Sequence, residues 1–221
     1  MLHPLQKTKW RSALLIVGLL LAAAGGYWLI GGGGNHPEEQ GTSRISEEGY
    51  TRSRSVKGIT YSVRYLPPRY LIDRELASVA SPSQSLRDSL AESYGQTLTF
   101  MMSIRGSAAD SGHADVLLSS SRSQADYAAR VSELSFNIER KIFVKTAHGD
   151  IYPVLTHFEP VTGVANESRL IIVFPAQSGD HGITDGESLD IVFIDEMFGT
   201  GINHFIFDSA LLRRASGVST T

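Results

Sequence analysis

Residues Ala13 to Ile30 read ALLIVGLLLAAAGGYWLI, eighteen positions without a charge. A helix rises about 1.5 Å per residue, so this run covers roughly 27 Å, close to the ~30 Å hydrocarbon core of a bilayer. Lys7, Lys9 and Arg11 precede it, and Glu38 and Glu39 follow it. The positive-inside rule then puts residues 1–12 in the cytoplasm and everything after about Gly34 on the far side. Tyr27 and Trp28 stand near the outer end, where amphipathic rings favour the interface. The sequence therefore predicts a single-pass signal-anchor over residues 13–30, with an extracytoplasmic C-terminal region. A signal peptide cut after Ala22-Ala23-Ala24 is the rival reading. The apolar residues Tyr27 to Ile30 continue past that cut and favour the anchor, and both readings export the remainder.

The chain contains no cysteine. That excludes a disulfide framework, a zinc–thiolate site, an iron–sulfur cluster and a cysteine nucleophile. It also excludes a thiol-linked lipid. Leu20-Leu21-Ala22-Ala23 approaches a bacterial lipobox, but Ala24 stands where the lipidated cysteine belongs. A formal net charge of -3 argues against a general nucleic-acid binder. A length of 221 residues allows one ordinary domain with extensions.

Residues 31–55, opening with four glycines and continuing without apolar period, read as a flexible linker. Globular patterning runs from Val56 to about Asp208. Ile59, Tyr61, Val63 and Tyr65 alternate with polar residues, as a half-buried strand does. Pro67-Pro68 ends it and suits the first turn of a helix carrying Ile72, Leu76, Val79 and Ala80. Ser81 to Asp88 reads as a polar break. Leu98, Phe100, Met102 and Ile104 alternate again, and Gly106 to Ser121 reads as a long loop. Ser123 and Asp126 signal a helix start, followed by Tyr127, Val131, Leu134 and Ile138 on one face. Further strands are expected at 142–144, 151–158 (returning antiparallel after His148-Gly149-Asp150), 169–174, 188–194 and 203–207. Residues 209–221 read as a tail. These segments predict an α+β domain over 56–208, with about seven mostly antiparallel strands and about two helices.

None of the seven histidines forms the HExxH spacing that places two imidazoles on one helix face. His113 with Asp115, and His148 with Asp150, are His-x-Asp pairs in loops, a pattern that short polar loops produce by composition. The acidic stretch Asp180 to Glu187 lacks the alternation of a calcium loop and reads as a solvated hairpin. Gly106-Ser107, and Gly217 with Ser219, do not make a nucleophile elbow. Gly199-Thr200-Gly201 is too short to cradle phosphate and reads as a turn. Asp190, Asp195 and Glu196 offer carboxylates for glycoside chemistry, but strand spacing says nothing about their separation. Asn166-Glu167-Ser168 matches a glycosylation sequon. Arg213-Arg214-Ala215-Ser216 resembles a kinase site, placed by the topology outside the cytoplasm. Tyr65, Pro67, Pro68 and Tyr70 form a stiff aromatic–proline segment suited to partner contact, with a strand-to-helix corner as its more ordinary role.

Across Tyr61–Tyr70, Tyr127–Phe136 and Asp195–Phe207 the chain resembles a group of small bacterial envelope proteins of unknown activity. Many of these are lipoproteins with one exported globular domain. The resemblance spans roughly Gly58 to Asp208 and implies an extracytoplasmic bacterial setting. It carries over no functional residue, and the chain departs from the lipoprotein pattern at Ala24. The expectation is a non-catalytic binding or structural module of the cell envelope, held to the membrane by residues 13–30. It takes a protein partner, with no cofactor, no metal and no nucleic acid. An exported hydrolase with a site assembled non-locally, or a carrier of a small ligand, are the alternatives.

Overall fold

The computed structural model describes residues 49–106, 115–159 and 167–217. Alternation drives the first hairpin. Strand β1 (Thr51–Val56) pairs antiparallel with β2 (Ile59–Leu66), whose Ile59, Tyr61, Val63 and Tyr65 all turn inward and are buried. The chain then forms a helical hairpin, α1 (Pro68–Leu76) and α2 (Gln84–Gly95). Pro68 at the first helical position loses no hydrogen bond there. Ser83 caps α2, its hydroxyl accepting from the Leu86 amide at 3.2 Å. The buried Tyr94 hydroxyl donates to Glu75 Oε1 at 2.5 Å and ties the two helices together.

Strand β3 (Thr97–Gly106) runs beside β2, with Leu98, Phe100, Met102 and Ile104 inward. A single-turn α3 (Val116–Ser119) buries Val116 and Leu117. Helix α4 (Gln124–Phe136) starts at Ser123, whose Oγ accepts from the Asp126 amide. A 3-10 turn (Ile138–Arg140) leads into β4 (Ile142–Thr146), β5 (Gly149–Ile151) and β6 (Leu155–Glu159). Strand β7 (Ser168–Pro175) follows, then the two-residue strands β8 (Gln177–Ser178) and β9 (His181–Gly182). Strands β10 (Ser188–Asp195) and β11 (Gly201–Asp208) form the last long hairpin, and α5 (Ser209–Ser216) closes the described chain.

The strands assemble into two antiparallel sheets, ordered β1-β2-β3-β7-β6 and β11-β10-β4-β5. Their inner faces share one apolar interior. Tyr61 meets Phe193 edge-on at 5.4 Å between centroids, and Phe100 meets Phe207 at 5.3 Å, each pair bridging the sheets. Arg52 closes one side, where β1 and β11 are edge strands. Its Nε donates to the Ile206 carbonyl at 2.7 Å while its guanidinium lies over the Phe207 ring. The α+β, mostly antiparallel architecture is as the sequence predicts.

The details differ from expectation in instructive ways. Among the described residues there are eleven strands and five α-helices, against about seven and about two expected. Thr51 to Ser55, read as linker, form an edge strand; its polar sequence offers no alternation because one side meets water and the other only a sheet margin. Ser81–Asp88 is not simply a break, since α2 begins at Gln84 and buries only Leu90 and Tyr94, too thin a stripe to read as a helix. Val79 lies past the end of α1 and is exposed. The expected strand 151–158 is two strands in different sheets. Pro153 has no amide to donate, and after it the Val154 amide bonds to the Val173 carbonyl of β7 at 2.8 Å. Residues 209–216, read as tail, are α5, capped by Asp208 at 2.7 Å to the Ala210 amide and closed by Gly217 at φ 73°. No helix among the described residues is long and apolar enough to cross a membrane, and the segment 13–30 lies outside them.

Candidate functional site

The outward face of the four-stranded sheet departs from the pattern its inner face sets. In a sandwich, strands alternate buried apolar with solvated polar residues. In β11, Asn203, Phe205 and Phe207 turn inward and are buried. The outward residues are Ile202, His204 and Ile206, and the two isoleucines are 57% and 54% exposed. The register continues this band sideways. Ile202 sits opposite Ile194, His204 opposite Val192, and Ile206 opposite Asp190. Val192 in turn faces Phe143 of β4, and Asp190 faces Lys145. Tyr152, half exposed, brings its ring to 5.6 Å from that of Phe143. The result is an apolar band from β11 across to the end of β5, bordered by a polar row.

Within the band, His204 Nδ1 lies 2.9 and 3.2 Å from the two Asp190 carboxylate oxygens. This pair gives the face a polar, orientable centre. Lys141, just before β4, bonds Glu133 at 2.6 Å and Glu196 at 2.7 Å, and so ties α4 to the end of β10. The bond to Lys141 holds the Glu133 carboxyl below its ordinary range, and the same bond raises the lysine. Strands about 4.8 Å apart, rising about 3.3 Å per residue, give the four-strand face roughly 400–500 Å². That is about half of the ~800 Å² that each partner contributes to a standard interface.

The sequence-predicted residues are placed elsewhere. Tyr65, Pro67 and Pro68 are buried in a strand-to-helix corner, leaving Tyr70, 37% exposed, as the member of that segment presented to solvent. The Tyr65 hydroxyl bonds Ser216 Oγ at 2.6 Å, and burial pushes it up to about 12. Ser216, the serine of the kinase-like motif, is occupied in that contact. Asp190, Asp195 and Glu196 do not converge. Asp190 faces outward, Glu196 pairs with Lys141, and Asp195 is buried at 2% exposure.

Asp195 organises the β10–β11 turn. Its Oδ1 accepts from the Met197 and Phe198 amides at 3.0 and 3.1 Å, and its Oδ2 from the Thr200 amide at 2.8 Å and hydroxyl at 2.7 Å. Burial, with Asp195 nearby, pushes the Tyr61 hydroxyl far above its ordinary value. Gly199 and Gly201, at φ 66° and 77°, make the tight turn that this carboxylate needs, so Gly199-Thr200-Gly201 is a turn as expected. Asp185 Oδ2 accepts from the Gly182 amide at 2.7 Å, so the acidic loop is a hairpin stabilised from within. Asp115 caps α3 through the Leu117 amide, while His113, Asn166, Ser107 and Ser219 lie outside the described residues. No three His, Asp or Glu side chains among the described residues group to hold a metal.

The band on β11 went unread in the sequence, although its signal is there: Gly201 to Asp208 carries two large apolar residues on each of its alternating sets, Ile202 and Ile206 on one, Phe205 and Phe207 on the other. No family model matches the chain, and no curated protein is similar to it. One solved structure, a protein of unknown function from Burkholderia pseudomallei, is 12% identical with a TM-score of 0.37 and covers 75% of this chain and 82% of its own.

Proposed function

We propose that this protein is a non-catalytic binding module of the bacterial envelope, tethered by residues 13–30, which docks a protein partner on the outer face of its four-stranded sheet. The observation that carries the reading is the pair of exposed isoleucines, Ile202 and Ile206, on one outward face of β11, with Ile194 opposite Ile202 and Val192 opposite the His204 between them. Scattered exposed apolar residues are ordinary, whereas a contiguous patch marks an interaction site. The face is small, so binding through it alone is weak. A partner held on the same membrane sees a raised effective concentration, which compensates for a small interface. The uncharged run Ala13–Ile30 and its basic flank support that tether.

The test is photocrosslinking of the full chain in native membranes, with the reactive group at position 202 or 206 and a control at Ser62 on the opposite sheet. A discrete adduct from 202 and 206 that is absent at 62 supports the reading. Equal labelling at all three positions, or none, overturns it.

A further inference from the structure

We propose that His148 and His181 form a binding site for a divalent transition-metal ion of the zinc class. The sequence separates these residues by 33 positions, and the fold brings their rings to 4.3 Å between centroids, 3° from parallel. Each sits on a braced turn. The His148 amide donates to Thr146 Oγ1 at 3.2 Å, and that hydroxyl donates to the Gly149 carbonyl at 2.7 Å. His181 pairs with Ser178 across the β8–β9 hairpin, whose Gly182 amide is held by Asp185. The two rings line a shallow cleft of about 90 Å³ between these turns. Asp150 lines it too, and no lysine or arginine does, so the local field favours a cation.

Imidazole suits borderline ions such as zinc, copper and nickel. Two nitrogens bound to one tetrahedral zinc stand at about 2.0–2.1 Å from the ion and about 3.4 Å from each other, a spacing that two neighbouring rings reach by turning about their side-chain torsions. In the stack the in-plane lone pairs do not converge, so binding requires the rings to fan open. Both side chains are exposed and turn without disturbing the interior. Water completes the coordination, since no third His, Asp or Glu joins them among the described residues.

The experiment is zinc titration of the full chain in detergent micelles, followed by calorimetry and by amide and imidazole NMR. The expected result is one saturable site. Its shifts are confined to the turns at 146–150 and 178–183, and His148→Gln or His181→Gln each removes it. His204→Gln is expected to retain it. Thermal melts of the variants check that folding is intact, as expected for two exposed side chains. Absence of saturable binding, survival of the site in the double variant, or shifts centred on other histidines overturns the proposal.

Discussion

The two outer faces of the sandwich solve the same problem differently. On the five-stranded sheet the outward groups of β1 and β2, and the charges about Glu167, satisfy one another, while the part-buried Met101, Ile171 and Leu155 and the buried Val173 form an apolar row across β3, β7 and β6. Ser53 bonds Ser62 at 2.7 Å, Ser55 bonds Thr60 at 2.8 Å, and Glu167 takes Arg105 at 3.0 Å and Arg169 at 2.9 Å. Hydroxyl ladders and paired charges also hydrogen-bond to water, so the β1–β2 edge of this face is complete when solvated. On the four-stranded sheet the outward Ile202, Ile206 and Tyr152 keep apolar area in water, at a cost of roughly 25 cal/mol per Å². The inner faces of both sheets are equally apolar. The difference between the β1–β2 edge and the β11 band therefore lies in what each meets, and not in how each sheet folds.

That statement requires the two sheets to be one cooperative body. Phe100 tests this most severely. Its ring lies 5.3 Å from Tyr65 and from Phe207, and 6.1 Å from Phe174, so it joins strands of both sheets. Phe100→Ala is expected to cost about 3–5 kcal/mol in chemical denaturation. The transition should remain single, with fluorescence and circular dichroism coincident. Two separated transitions would mean that the sheets fold independently, and the contrast between their outer faces would then compare two units.

The contrast sharpens with paired lysine substitutions. Ile202→Lys with Ile206→Lys removes exposed apolar groups, so each is expected to change stability by no more than about 0.5 kcal/mol. Adduct formation in the membrane should nevertheless disappear. Ser62→Lys on the other sheet should leave the adduct intact. A large loss of stability in the isoleucine variants would show that these side chains serve the fold, and the docking face would fail as a reading.

Much of the interior was legible in the sequence. The alternations over Ile59–Tyr65 and Leu98–Ile104 each report a strand with one face buried, and every residue they mark is buried. Ser123 was legible as a helix cap because its hydroxyl and an early acid sit at fixed positions. What escaped is what depends on distant partners. Strand β1 owes its existence to β2 and carries no apolar period of its own. Helix α2 rests on Leu90 and Tyr94, and the Glu75 that receives Tyr94 belongs to another helix. The change of sheet at Pro153 depends on a carbonyl of Val173. Neither the proximity of His148 to His181 nor the continuity of Ile202 with Ile194 and Val192 exists until register is fixed. The segment read for partner contact lies mostly inside: Tyr65, Pro67 and Pro68 turn a buried strand-to-helix corner, and Tyr70 reaches solvent.

Acid offers a milder probe of the border of the apolar face. Glu133 is held below its ordinary value near 4.5 by Lys141. Its contribution to stability is therefore present above that pH and lost as pH falls through the lowered value. Lys141 is raised above 10.5, so its contribution is present below that pH and lost only as pH rises past the raised value. Between these limits Glu133→Gln should be less stable than the parent by no more than about 1 kcal/mol, as for a partly exposed pair. The gap should close on acidification below the Glu133 transition. A gap that persists there, followed by thermal melting, would locate the effect in packing and not in charge.

The smallest expected effect makes the polar β1–β2 edge resemble the apolar band. Ser53 and Ser62 are exposed cross-strand neighbours whose hydroxyls also bond water, so a double-mutant cycle to alanine should yield a coupling of about 0.2–1 kcal/mol. Replacing both by isoleucine exchanges that bond for cross-strand β-branched packing, which strands favour, and should leave stability within about 0.5 kcal/mol of the parent. Stability is thus a poor reporter of the difference between the two faces. Association is the sensitive one. If an apolar pair in register is sufficient to make a sheet face adhesive, Ser53→Ile with Ser62→Ile should produce new crosslinks from the five-stranded sheet. If those crosslinks do not form, adhesion on the native face needs more than apolar area. The group that the native band has and the altered face would lack is the His204–Asp190 pair at its centre.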